Sequence, residues 1–401
     1  MSKQWPIVKL GNVFKRVKDE VIIQDDETYA RLTIRLNGNG IVQRDRVPGH
    51  EIGTKKQFIA RAGQLVLSKI DARNGAFGIL PLECDNAIIT GNFWAFDADK
   101  ERLLTAYFDY LTKTPLFIEF CVRASEGTTN RLYLQEDEFL AQEVMLPPLA
   151  EQQRVLARVE ELAAQIHEVR TLRHQAAEEA DALTISASRS LFGEMPKKNW
   201  APLNSFISEI ENGKSPQCES SPASIDEWGV LKVGAISFGS FDEQENKALP
   251  IGMTPNPKYE VRFGDFLMSR ANTTELVGAC AIVGQTRPRL LLSDKTFRFH
   301  FQRNVEVEPH WLDYAMKSPA LREQIERGAT GTSPTMKNIS KQKVMELLLP
   351  PHSQSEQRRI VAELDALHGE VDALKRLQAE TAAELDALLP AILDKAFKGE
   401  L

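Results

Sequence analysis

Two textures alternate along the chain. Residues 1–148 and 196–351 hold short apolar runs, such as Gln64 to Ile70 and Ala279 to Val283, broken by Gly, Pro, Asn and Asp. That is the pattern of strands and turns with a few helices. The segments 149–195 and 352–401 differ: their cores, 151–192 and 356–397, hold almost no Gly and only one Pro and are rich in Ala, Leu, Glu and Arg, all strong helix formers. Each predicts one long helix. In the second, apolar or small residues recur every seven at Ile360, Leu367, Leu374, Thr381 and Leu388, and again at Leu364, Val371, Leu385 and Ile392. The first repeats this with Val155, Leu162, Val169, Ala176 and Leu183, plus Val159, Ile166 and Ala180, and Arg173 interrupts it. Such a two-position heptad seam belongs to helices packed along their length. At 1.5 Å per residue each helix spans about 63 Å and cannot bury its stripe alone, so the two are expected to pack on each other. The first leaves one globular part for the other and the second must run back, which makes the pair antiparallel. The expected fold class is α+β: two similar globular domains separated by an antiparallel coiled-coil rod, related by a pseudo-twofold axis, with the C-terminus returning near the N-terminus.

An internal repeat underlies the symmetry. Leu-Pro-Pro-Leu-Ala-Glu-Gln-Gln-Arg-Val (Leu146 to Val155) returns as Leu-Pro-Pro-His-Ser-Gln-Ser-Glu-Gln-Arg-Arg-Ile (Leu349 to Ile360), two residues longer. Trp5 matches Trp200, Gly63-Gln64-Leu65-Val66-Leu67-Ser68-Lys69 matches Gly264-Asp265-Phe266-Leu267-Met268-Ser269-Arg270, Asp109-Tyr110 matches Asp313-Tyr314, and Gly127-Thr128-Thr129 matches Gly331-Thr332-Ser333. Ordered matches over half the chain mean a tandem duplication.

Composition narrows the classes. With 42% apolar and 26% charged residues in 401, the chain is neither disordered nor collagen-like. No leader pattern opens it and no apolar run approaches a membrane span, so a cytoplasmic protein is expected. Cys84, Cys121, Cys218 and Cys280 are too scattered for a zinc or disulfide framework and read as reduced core thiols. His167 and His174 lie seven apart on a helix, where solvent exposure is expected, and no metal is assigned. The net charge of −7 resides almost wholly in the helical segments. Each globular part is within one charge of neutral and can present a basic face.

No catalytic motif emerges. Gly213-Lys214-Ser215 ends like a phosphate-binding loop, but Ser208 stands where the first Gly belongs, and a surface turn is expected. Asn256-Pro257-Lys258-Tyr259 lacks the second Pro of an amino-methyltransferase motif and has no Gly-rich cofactor loop. Gly38-Asn39-Gly40 reads as a turn. What remains are two matched polar loop sets. Lys69, Arg73, Asn74, Thr128, Thr129, Asn130 and Arg131 form the first; Arg270, Asn272, Thr273, Thr332, Ser333, Thr335 and Lys337 form the second. These side-chain types read base edges and hold phosphates; ordinary turns with solvated charges fit any single one of them nearly as well, and it is their recurrence at matching places in both halves that makes them candidate DNA contacts.

The whole chain resembles the specificity subunit of Type I restriction-modification enzymes. The resemblance rests on the Trp and polar stretch opening each half, the Gly-x-x-x-x-Ser-Lys/Arg strand, the Gly-Thr-Thr or Gly-Thr-Ser loop, and Leu-Pro-Pro followed by Glu-Gln-x-Arg. The closing Ala396-Phe397-Lys398-Gly399-Glu400-Leu401, echoed by Leu191-Phe192-Gly193-Glu194, adds to it. It implies two target-recognition domains, 1–148 and 196–351, each reading one half of a bipartite site in double-stranded DNA, with 149–195 and 352–401 as spacer helices. It further implies that the helices dock two modification subunits, which bind S-adenosylmethionine and methylate adenine, and that separate restriction subunits use ATP and Mg²⁺. The chain itself would then carry no cofactor and catalyse nothing. The rival class is a protein-interaction scaffold with two heads; a self-sufficient methyltransferase would need a methyl-donor motif, and none is visible.

Overall fold

A computed structural model describes residues 5–128, 131–217, 221–250, 252–333 and 335–401. The chain divides into two compact units, Met1–Arg173 with Gln378–Leu401, and His174–Leu377. Each contains one globular head and a stretch of both long helices.

In the first unit, the buried run Leu65–Ser68 is an inner strand of a four-stranded antiparallel sheet, ordered Phe14–Val17, Phe93–Ala98, Leu65–Ser68, Phe77–Ile79. Burial on both faces explains why this run is continuously apolar rather than alternating. A second sheet follows the order Glu20–Ile22, Lys56–Ala60, Ala87–Ile89, Thr28–Ile34, Ile41–Pro48. Helices Thr105–Thr112 and Pro115–Arg123 cover the first sheet, and the hairpin Ser125–Thr128 with Arg131–Leu134 follows them. Strand Ile7–Lys9 pairs with Glu143–Met145 and closes the head beside the long helix.

The second unit repeats this plan. Its four-stranded sheet runs Ile207–Asn212, Thr296–Phe301, Phe266–Ser269, Cys280–Ile282. A smaller sheet runs Asn246–Ala248, Gly229–Leu231, Leu290–Leu291, and helices Pro309–Lys317 and Pro319–Gly328 take the places of the first pair. The turns match in detail. Gly63 and Gly264 both have φ of +84°, a left-handed conformation that glycine adopts without strain. The residue after each closes the turn, Gln64 Oε1 accepting from the Arg61 N–H and Asp265 Oδ2 from the Arg262 N–H. Behind the second sheet Arg298 is buried and saturated, donating to Glu211, Asp265 and the carbonyls of Lys258 and Glu260.

Each head is gripped by the start of one long helix and the end of the other. Val155 and Val159 join Leu393, Ala396 and Phe397 in the core of the first unit. Ile360 and Leu364 join Leu191 and Phe192 in the second. Phe397 meets Tyr107 edge-on at 5.1 Å, and Phe192 lies 6.4 Å from Trp311, so the C-terminal motif and its internal echo do the same work. The helices are antiparallel within both units: Arg170 bridges to Asp386 in the first, and Lys375 to Asp181 in the second.

Two expectations about the helices need correction. The first is continuous over Leu149–Gly193, but the second is interrupted at Thr381, between Gln354–Glu380 and Ala382–Phe397. At this point the Arg173 guanidinium donates to the Gln378 carbonyl, and Gln378 Nε2 donates back to the Arg173 carbonyl at 3.1 Å. The heptad also drifts beyond the break. Leu388 is 46% exposed while Leu393 is buried, and in the first helix Val169 and Leu183 are 43% and 56% exposed. A straight helix of 3.6 residues per turn drifts about 20° per heptad from a strict repeat of seven, so a seven-residue count does not keep marking the packed side in either helix. Cys84, Cys121 and Cys280 are buried free thiols, and burial pushes their pKa values up; Cys218 lies outside the described residues. His167 and His174 are exposed. Among the described residues no group of three or more His, Cys, Asp or Glu could hold a metal ion, and no helix is long and apolar enough to cross a membrane.

Candidate nucleic-acid interface

Both loop sets are built on the same backbone joint. The strand ending at Ser68 hands over to Lys69, whose carbonyl accepts the Leu134 N–H at 2.9 Å. The strand ending at Ser269 hands over to Arg270, whose carbonyl accepts the Ile339 N–H at 3.0 Å. Loops more than sixty residues apart in sequence therefore sit side by side in each head, as the matched polar clusters require.

In the first head Lys69 is half-buried, and its Nζ lies 5.7 Å from the centre of the Trp94 ring, which Arg16 covers at 4.6 Å. Arg16 is in turn paired with Glu136. Arg73 and Asn74 occupy the tight turn Ala72–Asn74. Asn74 Nδ2 donates to Asp71 Oδ1 at 3.2 Å, and the turn receives the backbone N–H groups of Asn37 and Gly38 on the carbonyls of Asn74 and Gly75. Gly75 has φ of +81°, and a Cβ there would stand 2.5 Å from the Asn37 nitrogen, so glycine is what lets the two loops touch. Thr128 and Arg131 are register partners at the hairpin end; Thr129 and Asn130 lie outside the described residues.

In the second head the joint becomes a two-stranded ladder, with Asn272 opposite Lys337. This brings Arg270, Asn272 and Lys337 together. Asn272 Nδ2 donates to Ser237 Oγ at 2.9 Å, and Lys337 Nζ donates to the Gly331 carbonyl at 2.7 Å. The Glu275 carboxyl is held below its ordinary pKa by its own backbone N–H and, next, by the Thr273 hydroxyl. Ser333 and Thr335 share a hydroxyl hydrogen bond of 2.8 Å, and Thr332 is exposed beside them. Several of these side chains thus shape their loops as well as line them.

Sequence reasoning missed a third loop in each head. The Lys69 N–H donates to the Asn92 carbonyl, and the Arg270 N–H to that of Lys295, both at 2.8 Å. The turns Thr90-Gly91-Asn92 and Ser293-Asp294-Lys295 therefore abut the predicted residues. Arg270 Nη1 also reaches the Asp294 carbonyl at 3.3 Å. A signal existed: Ile88-Ile89-Thr90 and Leu291-Leu292-Ser293 keep the spacing of the repeat, ahead of Phe93-Trp94-Ala95-Phe96 and Thr296-Phe297-Arg298-Phe299.

No family model matches the chain. It is similar to the specificity subunit of the Type I restriction enzyme EcoEI of Escherichia coli, 32% identical over 202 residues, which cover 49% of this chain and 34% of that protein. It is also similar to the EcoKI specificity subunit of Escherichia coli strain K12, 23% identical over 338 residues, covering 80% and 70%. The match thus spans about a third of the first relative's length. Among solved structures, the HsdS subunit from Thermoanaerobacter tengcongensis aligns over 100% of this chain and 98% of its own at 23% identity, with a TM-score of 0.65. A chain from work on complex assembly and conformational transition of the type I R-M system aligns over 100% and 99% at 24% identity, with a TM-score of 0.69. In fold the chain is similar to HsdS subunits, and in sequence it is similar to Type I specificity subunits.

Proposed function

We propose that this chain is the DNA sequence-specificity subunit of a Type I restriction-modification complex. Each head reads one half of a bipartite duplex site through the loops that meet at Lys69 or Arg270. The helical segments dock two modification subunits, which bring S-adenosylmethionine and methylate adenine, and restriction subunits with ATP and Mg²⁺ complete the cytoplasmic complex. The chain itself catalyses nothing. The observation that carries this reading is the backbone joint built twice, which sets two polar loop clusters of like composition on like scaffolds. Two heads of one design suit a target with two halves, and the different side chains on them suit halves of different sequence.

Methylome sequencing of a host expressing the chain with its neighbouring modification subunit tests the proposal. One bipartite methylated motif is expected. Methyl transfer by the purified chain alone, or methylation without a bipartite motif, would overturn it.

A further inference from the structure

The two heads differ in charge at one equivalent place. In the first head, Arg31 lies beside Ile88 in parallel pairing and opposite Asp45 in antiparallel pairing. In the second, Val230 lies beside Leu291 and opposite Lys247 in the same arrangement. Strand for strand, Arg31 corresponds to Val230 and Asp45 to Lys247. Asp45 binds Arg31 through two hydrogen bonds of 2.6 and 2.7 Å, so that pair is self-neutralised. Lys247 faces an uncharged residue and is exposed.

The groove beside these strands differs accordingly. In the first head it is lined by Arg31, Arg44 and Glu51 against apolar Ile34, Ile52 and Phe93, and Arg44 also leans on Asp45 at 3.4 Å. In the second head Lys232, Lys247 and Lys295 line one groove together with the carboxylates of Glu245 and Asp294, and Lys214 lines the groove adjoining it, the two sharing Ser215 and Val230. Lys232 lies 4.0 Å from Glu245. Lys214, Lys247 and Lys295 are exposed and have no carboxylate within ion-pair distance among the described residues. Lys214 reaches this place because Gly213 passes tightly under the strand: a Cβ on Gly213 would stand 1.8 Å from the Leu292 carbonyl oxygen. The Gly213 N–H donates to the Ser293 carbonyl, and the Asp294 N–H to Ser215 Oγ. The same Asp294-Lys295 turn touches Arg270, so the lysine groove is continuous with the candidate base-reading loops.

We infer that the lysine-lined groove of the second head is a cradle for the DNA phosphate backbone, and that this head supplies more of the sequence-independent attraction than the first. Lysines are compact charges without a fixed fork, suited to holding phosphates rather than to bidentate reading of a base. The inference rests on the proposed DNA-reading role, but its test separates the two.

The complex of the full chain with its modification subunits is titrated with a duplex bearing its methylated motif, and with one lacking it, at several salt concentrations. Each neutralised phosphate contributes about 0.9 to the slope of log affinity against log salt. Replacing Lys214, Lys247 and Lys295 together by Gln should make that slope shallower by about two to three, weaken both duplexes alike and leave the methylated motif unchanged. The Lys→Arg triple should restore the slope, and Arg44→Gln in the first head should change it by no more than about one. An unchanged slope in the Gln triple, or an altered motif, overturns the cradle. If the wild-type complex bound duplexes without sequence preference while the triple still flattened the slope, the cradle would stand and the specificity role would fall.

Discussion

Gln152 and Gln357 occupy the same place in the two copies of Glu-Gln-x-Arg and are 0% and 2% exposed. Gln152 Oε1 accepts the Leu104 N–H at 2.9 Å, and its Nε2 donates to the carbonyls of Arg102 and Pro147, each at 2.8 Å. Gln357 does likewise with the Glu308 N–H and the His352 carbonyl. The motif is legible in the sequence as the opening of a long helix. The glutamine's role is not, because two of its partners lie about fifty residues back and become neighbours only through tertiary packing. Stranding a buried polar group costs about 1 to 3 kcal/mol, so Gln152→Ala should destabilise the chain by about 3 kcal/mol or more, seen as a lower urea midpoint. A surface glutamine in the same helix should leave the midpoint unmoved. Glu211 gives a pH signature in the second head. Burial opposes its ionisation, but Arg298, His300 and Lys258 outweigh burial and hold its pKa below the ordinary value. Its stabilising contribution is complete above the unfolded value of about 4.3 and is lost as the pH falls through the lower folded one. Glu211→Gln leaves Arg298 short of a buried counter-charge, so the variant should be less stable at neutral pH. The gap from wild type should shrink as the pH drops from about 5 to about 3, followed by unfolding at each pH.

Among the elements, the long helices were the most legible and the break in one of them the least. A run of helix formers with a heptad stripe fixes existence and approximate ends, and both helices begin within two residues of the expected cores. Thr381 fitted the stripe as a small residue, yet the helix stops there because a side chain from the other helix enters. Heptad counting flags Arg173 as an intruder but cannot tell whether it turns outward or caps a carbonyl. The heads were legible only as texture plus a repeat. Their strands are short, and the lateral order that sets Leu65–Ser68 beside Phe93–Ala98 depends on contacts that no local pattern encodes. On heptad grounds Arg173→Leu repairs the seam and stabilises. The structure gives the opposite sign: the Gln378 carbonyl loses a charged donor at a helix break, and a hydrogen bond to a charged group is worth about 1.5 to 3 kcal/mol. Arg173→Leu should therefore lower the unfolding free energy by about 1 to 2 kcal/mol, measured by chemical denaturation. A more stable variant would show that the seam, not the capped carbonyl, governs this position.

For the whole molecule, the proposed function makes the spacing between half-sites a property of the helices. The proposed target has two halves on one duplex, so the helices act as a ruler only if changing their length changes the gap. The bridge Arg170–Asp386 sets the register of the two helices within the first unit, and Lys375–Asp181 sets it within the second. Ala176 in the first helix and Thr381 in the second, where that helix is interrupted, are the two places for an insertion. Inserting four helix-forming residues at both places keeps the register of the contacts within each unit. Insertion in only one helix would slide the seams past each other and should cost stability instead. Four residues lengthen a helix by about 6 Å, and the four-residue stutter is absorbed by local unwinding, which the existing interruption already tolerates. Base pairs rise about 3.4 Å, so the preferred gap should grow by one or two base pairs while both half-site sequences stay as they were. Methylome sequencing of the lengthened variant with its modification subunit measures both quantities at once. A gap that kept its original length would mean that the docked modification subunits, rather than these helices, set the distance. A gap that grew with altered half-sites would mean that the insertion had disturbed the grip of Phe397 on Tyr107 or of Phe192 on Trp311.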